Sequence, residues 1–387
     1  MKKAWKIIAS AAVTVGLLTG CGGGSGTAAS GDTIKIGVNY ELSGDVATYG
    51  QANVEGIEMA TEEINNAGGI KGKKIELVKY DNKSTASEAT TLATKLMTQD
   101  KVIAQIGPAT SGAFKATIPV ADKSKVPVVT GSATADDVTV DAQGKVQQYA
   151  FRTCFSDSYQ GTAMAKYARE KKNAQSAVIL TDNSSDYSKG LTASFEKTFT
   201  EAGGKVVSKQ SYNKGDTDFN AILTAIRGQQ FDMIYLPGYY SEAGLIIKQA
   251  RAQGITQPIV GADGFDSPKL AELAGKDALT NVFFSNHYSS LSTDPAVQKF
   301  ITDFKAKYNK EPDAFNALGY DTLKFVANGL QGGATTGADL EKALAATKDF
   351  QGVTGTISVD ANHNAVKSVT VIEMRNGVQA AAEKFDA

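Results

Sequence analysis

Two rhythms of apolar residues take turns along this chain. Residues 34–38 form a short β-branched run, and 51–65 follow with Val54, Ile57, Ala60 and Ile64 at helical spacing, stopped by Gly68-Gly69. Residues 74–80 predict a strand, 84–98 a helix capped by Ser84, 102–106 a buried strand, 111–122 a helix and 126–130 a strand. The pattern restarts after Arg152. Helical periodicity covers 159–171, 187–202, 219–227, 242–253, 296–308, 314–328 and 338–346. Strand-like runs cover 177–180, 205–212, 233–236, 258–260 and 282–285, and the end predicts two strands, 355–359 and 368–373, around the turn Asn362-His363-Asn364. Repeated βα units imply a parallel sheet with helices on both faces. The expected fold class is α/β, two doubly wound parallel-sheet lobes of similar size with a central cleft between them.

The first twenty-one residues break this pattern. Lys2, Lys3 and Lys6 precede an apolar run from Ile7 to Leu18, and Leu18-Thr19-Gly20-Cys21 follows. A basic start, a short apolar segment and small residues before a cut site make a secretory signal. The run is too short to span a bilayer of ~30 Å as a helix. Its ending resembles a bacterial lipobox, which predicts a signal peptide over 1–20 and lipidation of Cys21 as the first mature residue. Residues 21–31 are rich in Gly and Ser, a composition that predicts a flexible tether. The Gly triplet there is not a phosphate loop, because no Gly-Lys-Ser/Thr follows.

Removing the first twenty residues leaves 367, a length that suits two domains, and moves the formal net charge from −1 to −4. No basic patch stands out along the chain, so nucleic acid is not an expected partner. After Cys21 only Cys154 remains, which predicts a buried free thiol and no internal disulfide. His287 and His363 are the two histidines, and neither a His-Glu-x-x-His helix nor a Gly-x-Ser-x-Gly elbow occurs. No catalytic residue, metal or cofactor is therefore expected. His363 lies in a polar turn and is expected to be solvated; His287 is expected to be structural.

Open α/β sheets bind ligands at the carboxyl ends of their strands. Gly107-Pro108-Ala109-Thr110-Ser111-Gly112 follows a strand and opens a helix, where backbone N–H groups and the helix dipole favour an anion. Thr130-Gly131-Ser132-Ala133-Thr134 offers small residues, a Ser132 carbonyl and a Thr134 hydroxyl that suit an ammonium. In the second unit the corresponding loops carry Asp186-Tyr187, Gly238-Tyr239-Tyr240 and Asp263-Gly264-Phe265. An acid beside aromatics suits a cation with an apolar body.

Taken together, the phrases Ile34-Lys35-Ile36-Gly37, Leu42-Ser43-Gly44, Tyr49-Gly50, Gly68-Gly69-Ile70-Lys71-Gly72, Phe151-Arg152-Thr153, Gln249-Ala250-Arg251-Ala252 and Ala317-Leu318-Gly319-Tyr320-Asp321 resemble, in order and spacing, a type I bacterial solute-binding protein. The likeness is to the Leu/Ile/Val-binding proteins of branched-chain amino acid ABC importers. It implies a hinge, with lobe 1 from 32–153 plus 286–354 and lobe 2 from 154–285 plus 355–387, crossing near Thr153, Ser285 and Thr354. It also implies that Ser111 and the Thr134 N–H hold a ligand carboxylate, and that the Ser132 carbonyl, the Thr134 hydroxyl and Asp263 hold its ammonium. Ala109, Thr110 and Ala133 belong to the same loops, and Tyr49, Tyr187 and Tyr239 fall where the family lines its cleft. Many members carry Glu in place of Asp263, and some carry a disulfide between the positions held here by Thr85 and Thr110. The implied partners are L-leucine, L-isoleucine or L-valine and the membrane subunits of an ABC permease, for a monomer lipid-anchored outside the bacterial cell membrane. The same fold serves other small ligands, such as an amide, an aromatic acid or a short peptide, for import or sensing.

Overall fold

The computed structural model describes residues 33–385. The signal peptide, Cys21 and the tether fall outside the described residues.

The first sheet contains β1 (Ile34–Tyr40), β2 (Ile75–Asp81), β3 (Ala104–Ile106), β4 (Val128–Thr130) and β5 (Ala150–Arg152), ordered β2-β1-β3-β4-β5 and wholly parallel. The second contains β6 (Ser176–Asp182), β7 (Lys205–Tyr212), β8 (Met233–Tyr235), β9 (Ile259–Gly261) and β10 (Val282–Asn286). After β11 (Phe350–Gly352), β12 (Gly355–Val359) and β13 (Ala365–Val366), the strands β14 (Val369–Arg375) and β15 (Val378–Phe385) complete that second sheet. Its order is β15-β14-β10-β9-β8-β6-β7, with β14 antiparallel to both neighbours. Strands buried on both faces, such as β1 and β6, are runs of Ile, Val and Leu because helices cover each side.

Helices Ala47–Asn66 and Ala314–Gln331 pack backbone to backbone in the first lobe. Only glycine fits at the crossing: a Cβ on Gly56 would collide with the Asn316 carbonyl, and one on Gly319 with the Asn53 carbonyl. Thus helix Ala314–Gln331, which follows β10 in the chain, packs in the first lobe.

Three local expectations are corrected. The helix expected over 84–98 is Ala86–Lys95 and then widens into a π-turn, Leu96–Asp100. Its cap is Thr85, which accepts from the Glu88 N–H, while Ser84 sits at a φ of 58° and its hydroxyl donates to the Ser43 carbonyl. Residues 355–366, assigned by the resemblance to lobe 2, instead bind the first: β12 pairs with β11, and the Arg152 N–H donates to the His363 carbonyl. The chain therefore crosses to the second sheet around Lys367, after β13, rather than at Thr354. His363 is not solvated. Its ring stacks on Phe151 with centroids 4.1 Å apart, and burial pushes its pKa down. Cys154 is a buried free thiol, pushed up to about 12 by burial.

Candidate functional site

Where the carboxyl ends of the two sheets face each other, a narrow void of about 10 Å³ is lined by Tyr49, Ala109, Thr110, Ser132, Tyr187, Tyr239, Asp263, Gly264 and Phe315. That is roughly the room of a single water, far below the ~300–1,000 Å³ of sites for drug-sized molecules. Of the predicted residues, Ser111, Ala133 and Thr134 stand just behind its wall, each almost fully buried.

The first lobe supplies neutral polar groups held in place by one another. Thr130 Oγ1 accepts from the N–H groups of Ser132 and Ala133 at 3.1 and 2.9 Å, and donates to the Pro108 carbonyl. Ser132 Oγ donates to the Ala109 carbonyl, and Ser111 Oγ accepts from the Ala135 N–H. The buried Arg152 guanidinium donates to the carbonyls of Thr134 and Ala135 at 2.7 and 2.8 Å and, through Nε, to Asn364. The buried Thr134 hydroxyl faces the Asp157 carboxylate of the second lobe and acts to lower its pKa.

The predicted anion site at the start of helix Ser111–Ser124 is corrected in part. Glu41, fully buried at the end of β1, already accepts from the Ala109 N–H at 2.9 Å and from the Thr110 N–H and hydroxyl at 3.1 and 2.8 Å. The chain's own carboxylate thus takes two of the donors that the loop pattern offers to a ligand.

The second lobe supplies charge and rings. Asp263 Oδ1 accepts from the Tyr187 hydroxyl at 2.6 Å and from Gln160 Nε2 at 3.2 Å, and its Oδ2 lies 3.4 Å from His287 Nε2. Gln160 also donates to Asp157, so one amide bridges two buried acids. Burial pushes Asp157 well up, while the Thr134 hydroxyl opposes the rise and the Asp263 charge adds to it. Burial lowers His287 to about 4, leaving a neutral ring stacked on Phe155 at 3.6 Å. Burial, then the Asp263 charge, raises the Tyr187 pKa, which keeps that hydroxyl a neutral donor. Tyr187 and Tyr239 stack 5.0 Å apart, and from the first lobe Tyr49 stacks on Phe315 at 4.3 Å.

The lobes touch across the void. Tyr49 of the first donates to the Gly264 carbonyl of the second, and its oxygen accepts from the Tyr240 N–H. Tyr240 in turn donates to the Asp45 carbonyl at 3.1 Å, and the Thr48 and Ser267 hydroxyls are 3.0 Å apart. At the rim, Lys115 pairs with Asp137 and Asp186, each at 2.7 Å.

Sequence reasoning missed Glu41, Asp157, Gln160 and Phe315. Glu41 follows a strand directly, so the same strand-end rule that selects Thr110 reaches it. Phe315 opens a helix late in the chain, after no strand, and no local signal marks it. Among the described residues no group of His, Cys, Asp and Glu is arranged to hold a metal, and no helix is long and apolar enough to cross a membrane.

Residues 33–381 match the family model described as periplasmic binding protein. A Leu-, Ile-, Val-, Thr- and Ala-binding protein of Pseudomonas aeruginosa is 30% identical over 85% of this chain and 86% of its own length. The Leu/Ile/Val-binding protein of Escherichia coli is 31% identical over 77% of this chain and 79% of its own. The crystal structure of a Streptococcus pneumoniae branched-chain amino acid transporter substrate binding protein with isoleucine superposes with a TM-score of 0.87. It is 45% identical and covers 92% of this chain and all of that one. A solute-binding protein of R. palustris in complex with benzoate superposes at 0.82, with 27% identity, over 92% of this chain and 98% of its own. The chain therefore belongs to the periplasmic binding protein family, and within it to the solute-binding proteins of ABC importers rather than to enzymes.

Proposed function

We propose that this protein captures a branched-chain L-amino acid (leucine, isoleucine or valine) between its lobes and delivers it to an ABC permease. The observation that carries the reading is the pairing, in one small void, of a buried acid with an aromatic wall: Asp263 beside Tyr49, Tyr187, Tyr239 and Phe315. An ammonium on the ligand would neutralise Asp263. The rings cover an aliphatic side chain of Leu or Ile size, whose burial contributes ~2–3 kcal/mol. A micromolar Kd corresponds to about −8 kcal/mol, so fixed hydrogen bonds on both charges plus this burial suffice. One methylene discriminates by only ~1–3 kcal/mol, so Leu, Ile and Val overlap.

Capture proceeds by hinge closure. The open form binds ligand on the first lobe, where Ser111, Ser132 and Thr134 sit, and the second lobe brings Asp263 and the tyrosines. The contacts of Tyr49 with Gly264 and Tyr240 are those that closure makes. The signal peptide over 1–20 and a lipid on Cys21 place this cycle at the outer face of the cell membrane, with the chain acting as a monomer.

A benzoate-type ligand is the second reading, since a relative's structure contains benzoate. Asp263 argues against it, because an aromatic acid offers no cation to a buried carboxylate. Thermal unfolding of the ligand-stripped protein against the twenty L-amino acids and benzoate separates the two. A ligand that binds only the folded state raises the midpoint by mass action. A rise with Leu, Ile or Val is the expected result; a rise with benzoate alone would overturn it. Mass measurement of Cys21 from the host membrane tests the anchor separately.

A further inference from the structure

Charge that is scattered in the sequence comes together at the amino ends of the first sheet's strands. Lys35 of β1, Lys71 and Lys73 of the turn before β2, and Lys101 before β3 ring one groove. Its floor is apolar, made by Ile34, Ile70, Ile103 and Leu330. All four lysines are exposed, in a protein whose formal charge is slightly negative. A Cβ on Gly333 would lie 3.2 Å from Lys71 Nζ, so that amine leans over the groove's edge. None of Lys35, Lys71 and Lys101 forms an ion pair with a described carboxylate. Two acids lie nearby, Glu76 paired in register across the strands with Lys35 and accepting from Thr33 at 2.7 Å, and Asp100 accepting from Tyr80 at 3.1 Å, so four lysines against two acids leave the groove a positive excess.

The position of the groove selects its partner. Thr33 and Ile34, where the described chain begins, line it. Twelve residues separate Thr33 from Cys21, a length that reaches at most about 40 Å fully extended. If Cys21 carries a lipid, as proposed above, this basic end of the first lobe is the part of the protein held nearest the bilayer. The attraction between lysines and an anionic surface acts within a Debye length of ~8–10 Å. Tethering supplies the local concentration that makes a weak contact count.

We infer that the Lys35, Lys71, Lys73 and Lys101 groove rests on the anionic lipid headgroups of the membrane that anchors the protein. The lysines meet phosphates, and the partly exposed Ile34 and Ile103 meet the glycerol region beneath them. This contact lies at the opposite end of the first sheet from the ligand void, so it leaves the cleft unobstructed.

The test uses the chain from Gly22 onward, which keeps every strand and helix described. Its cosedimentation is measured at low salt with vesicles of phosphatidylcholine alone and of phosphatidylcholine mixed with phosphatidylglycerol. The wild type is expected to bind the anionic vesicles and to lose that binding in high salt. The variant Lys35→Gln/Lys71→Gln/Lys101→Gln is expected to bind about tenfold more weakly, with its thermal midpoint unchanged. A control with the same charge loss on the second lobe, Lys197→Gln/Lys205→Gln/Lys248→Gln, is expected to bind like the wild type. Equal binding to both vesicle types, or equal weakening by both triple variants, would overturn the inference. These readouts do not involve the lipid on Cys21, so failure of the anchor and failure of the groove are told apart.

Discussion

The two lobes contribute opposite kinds of chemistry to one void. The first offers hydroxyls and backbone groups locked in place from behind: Thr130 holding Ser132 and Ala133, Ser111 holding Ala135, and the Arg152 guanidinium holding the Thr134 loop. Its one acid at the site, Glu41, is spent on the Ala109 and Thr110 N–H groups. The second lobe offers ionisable groups that depend on one another: Asp263 on Tyr187, Gln160 and His287, with Asp157 on the same Gln160 amide. A rigid neutral half and a charged half divide the work. The first can receive a zwitterion without rearranging, and the second makes binding conditional on a cation.

The sharpest way to break this division is Asp263→Ala. We predict at least about a tenfold loss of amino-acid affinity by calorimetry, from a lost charge-assisted contact worth ~1.5–3 kcal/mol, with the fold intact. Loss of the Asp263 carboxylate also leaves the Tyr187 hydroxyl without an acceptor, while Gln160 keeps Asp157. Unchanged affinity would remove Asp263 from the site and leave the second lobe only its rings.

Glu41→Ala tests the opposite half. It strips two backbone donors and the Thr110 hydroxyl of their acceptor in a fully buried place. The expected result is a stability loss of about 2 kcal/mol in denaturant titration, with ligand recovering part of it. If stability is unchanged, the first lobe's loop is not held by Glu41, and its N–H groups are available to the ligand carboxylate as the loop pattern alone suggests.

A pH profile sharpens the comparison further along the lobe boundary. Asp266 of the second lobe accepts from the Ala314 N–H at 2.8 Å, beside Asp313 of the first. Burial, then the facing Asp266 charge, pushes Asp313 up to about 8, while Lys310 opposes the rise and Glu55 adds to it. An isolated carboxyl titrates near ~4. If opening separates the two acids, the closed form holds its proton more tightly, so closure takes up a proton between about 4 and 8. Affinity should then fall as pH rises through that window, by up to roughly tenfold per unit, less where water reaches the pair. Asp313→Asn should flatten the profile; an unaltered slope would place the titrating group elsewhere.

How much of this was legible beforehand depends on how local the cause is. Strand-end loops were readable, because a β-branched run followed by Gly, Ser and Thr before a helical stretch has a local meaning; Ala109, Thr110, Ser132 and Asp263 came from that rule and do line the void. Tyr187 and Tyr239 came from the same loops, and Tyr49 needed the family resemblance. What the sequence hid were meetings between distant segments. Arg152 reaches Asn364, Asp157 and Asp263 share Gln160, and residues 355–366 stay with the first lobe because β12 pairs with β11. His363 looks solvated in its polar turn, and only the Phe151 ring beneath it shows otherwise. The lysines of the basic groove lie in three separate stretches, so no run of charge announces them. Pairings of this kind are set by topology, which periodicity does not encode.

The weakest expected effect lies at the rim, where two ion pairs join the lobes among the described residues, Lys115 with Asp186 and Lys214 with Asp45. Lys115 stands 2.7 Å from both Asp137, on its own lobe, and Asp186, on the other. Asp186 is held below the usual carboxylate range, first by Lys115 and then by Lys189. The pair is partly open to water, with side-chain exposures of 23% for Lys115 and 40% for Asp186. Solvent screening limits such a contact to about 1 kcal/mol, which is about fivefold in affinity. Lys115→Met should therefore weaken ligand binding by no more than that at low salt. At high salt, where the wild-type pair is already screened, variant and wild type should converge. A deficit that persists in high salt would mean that Lys115 acts through the packing of its alkyl stem, and that closure is fixed by the Tyr49, Gly264 and Tyr240 contacts rather than by charge at the rim.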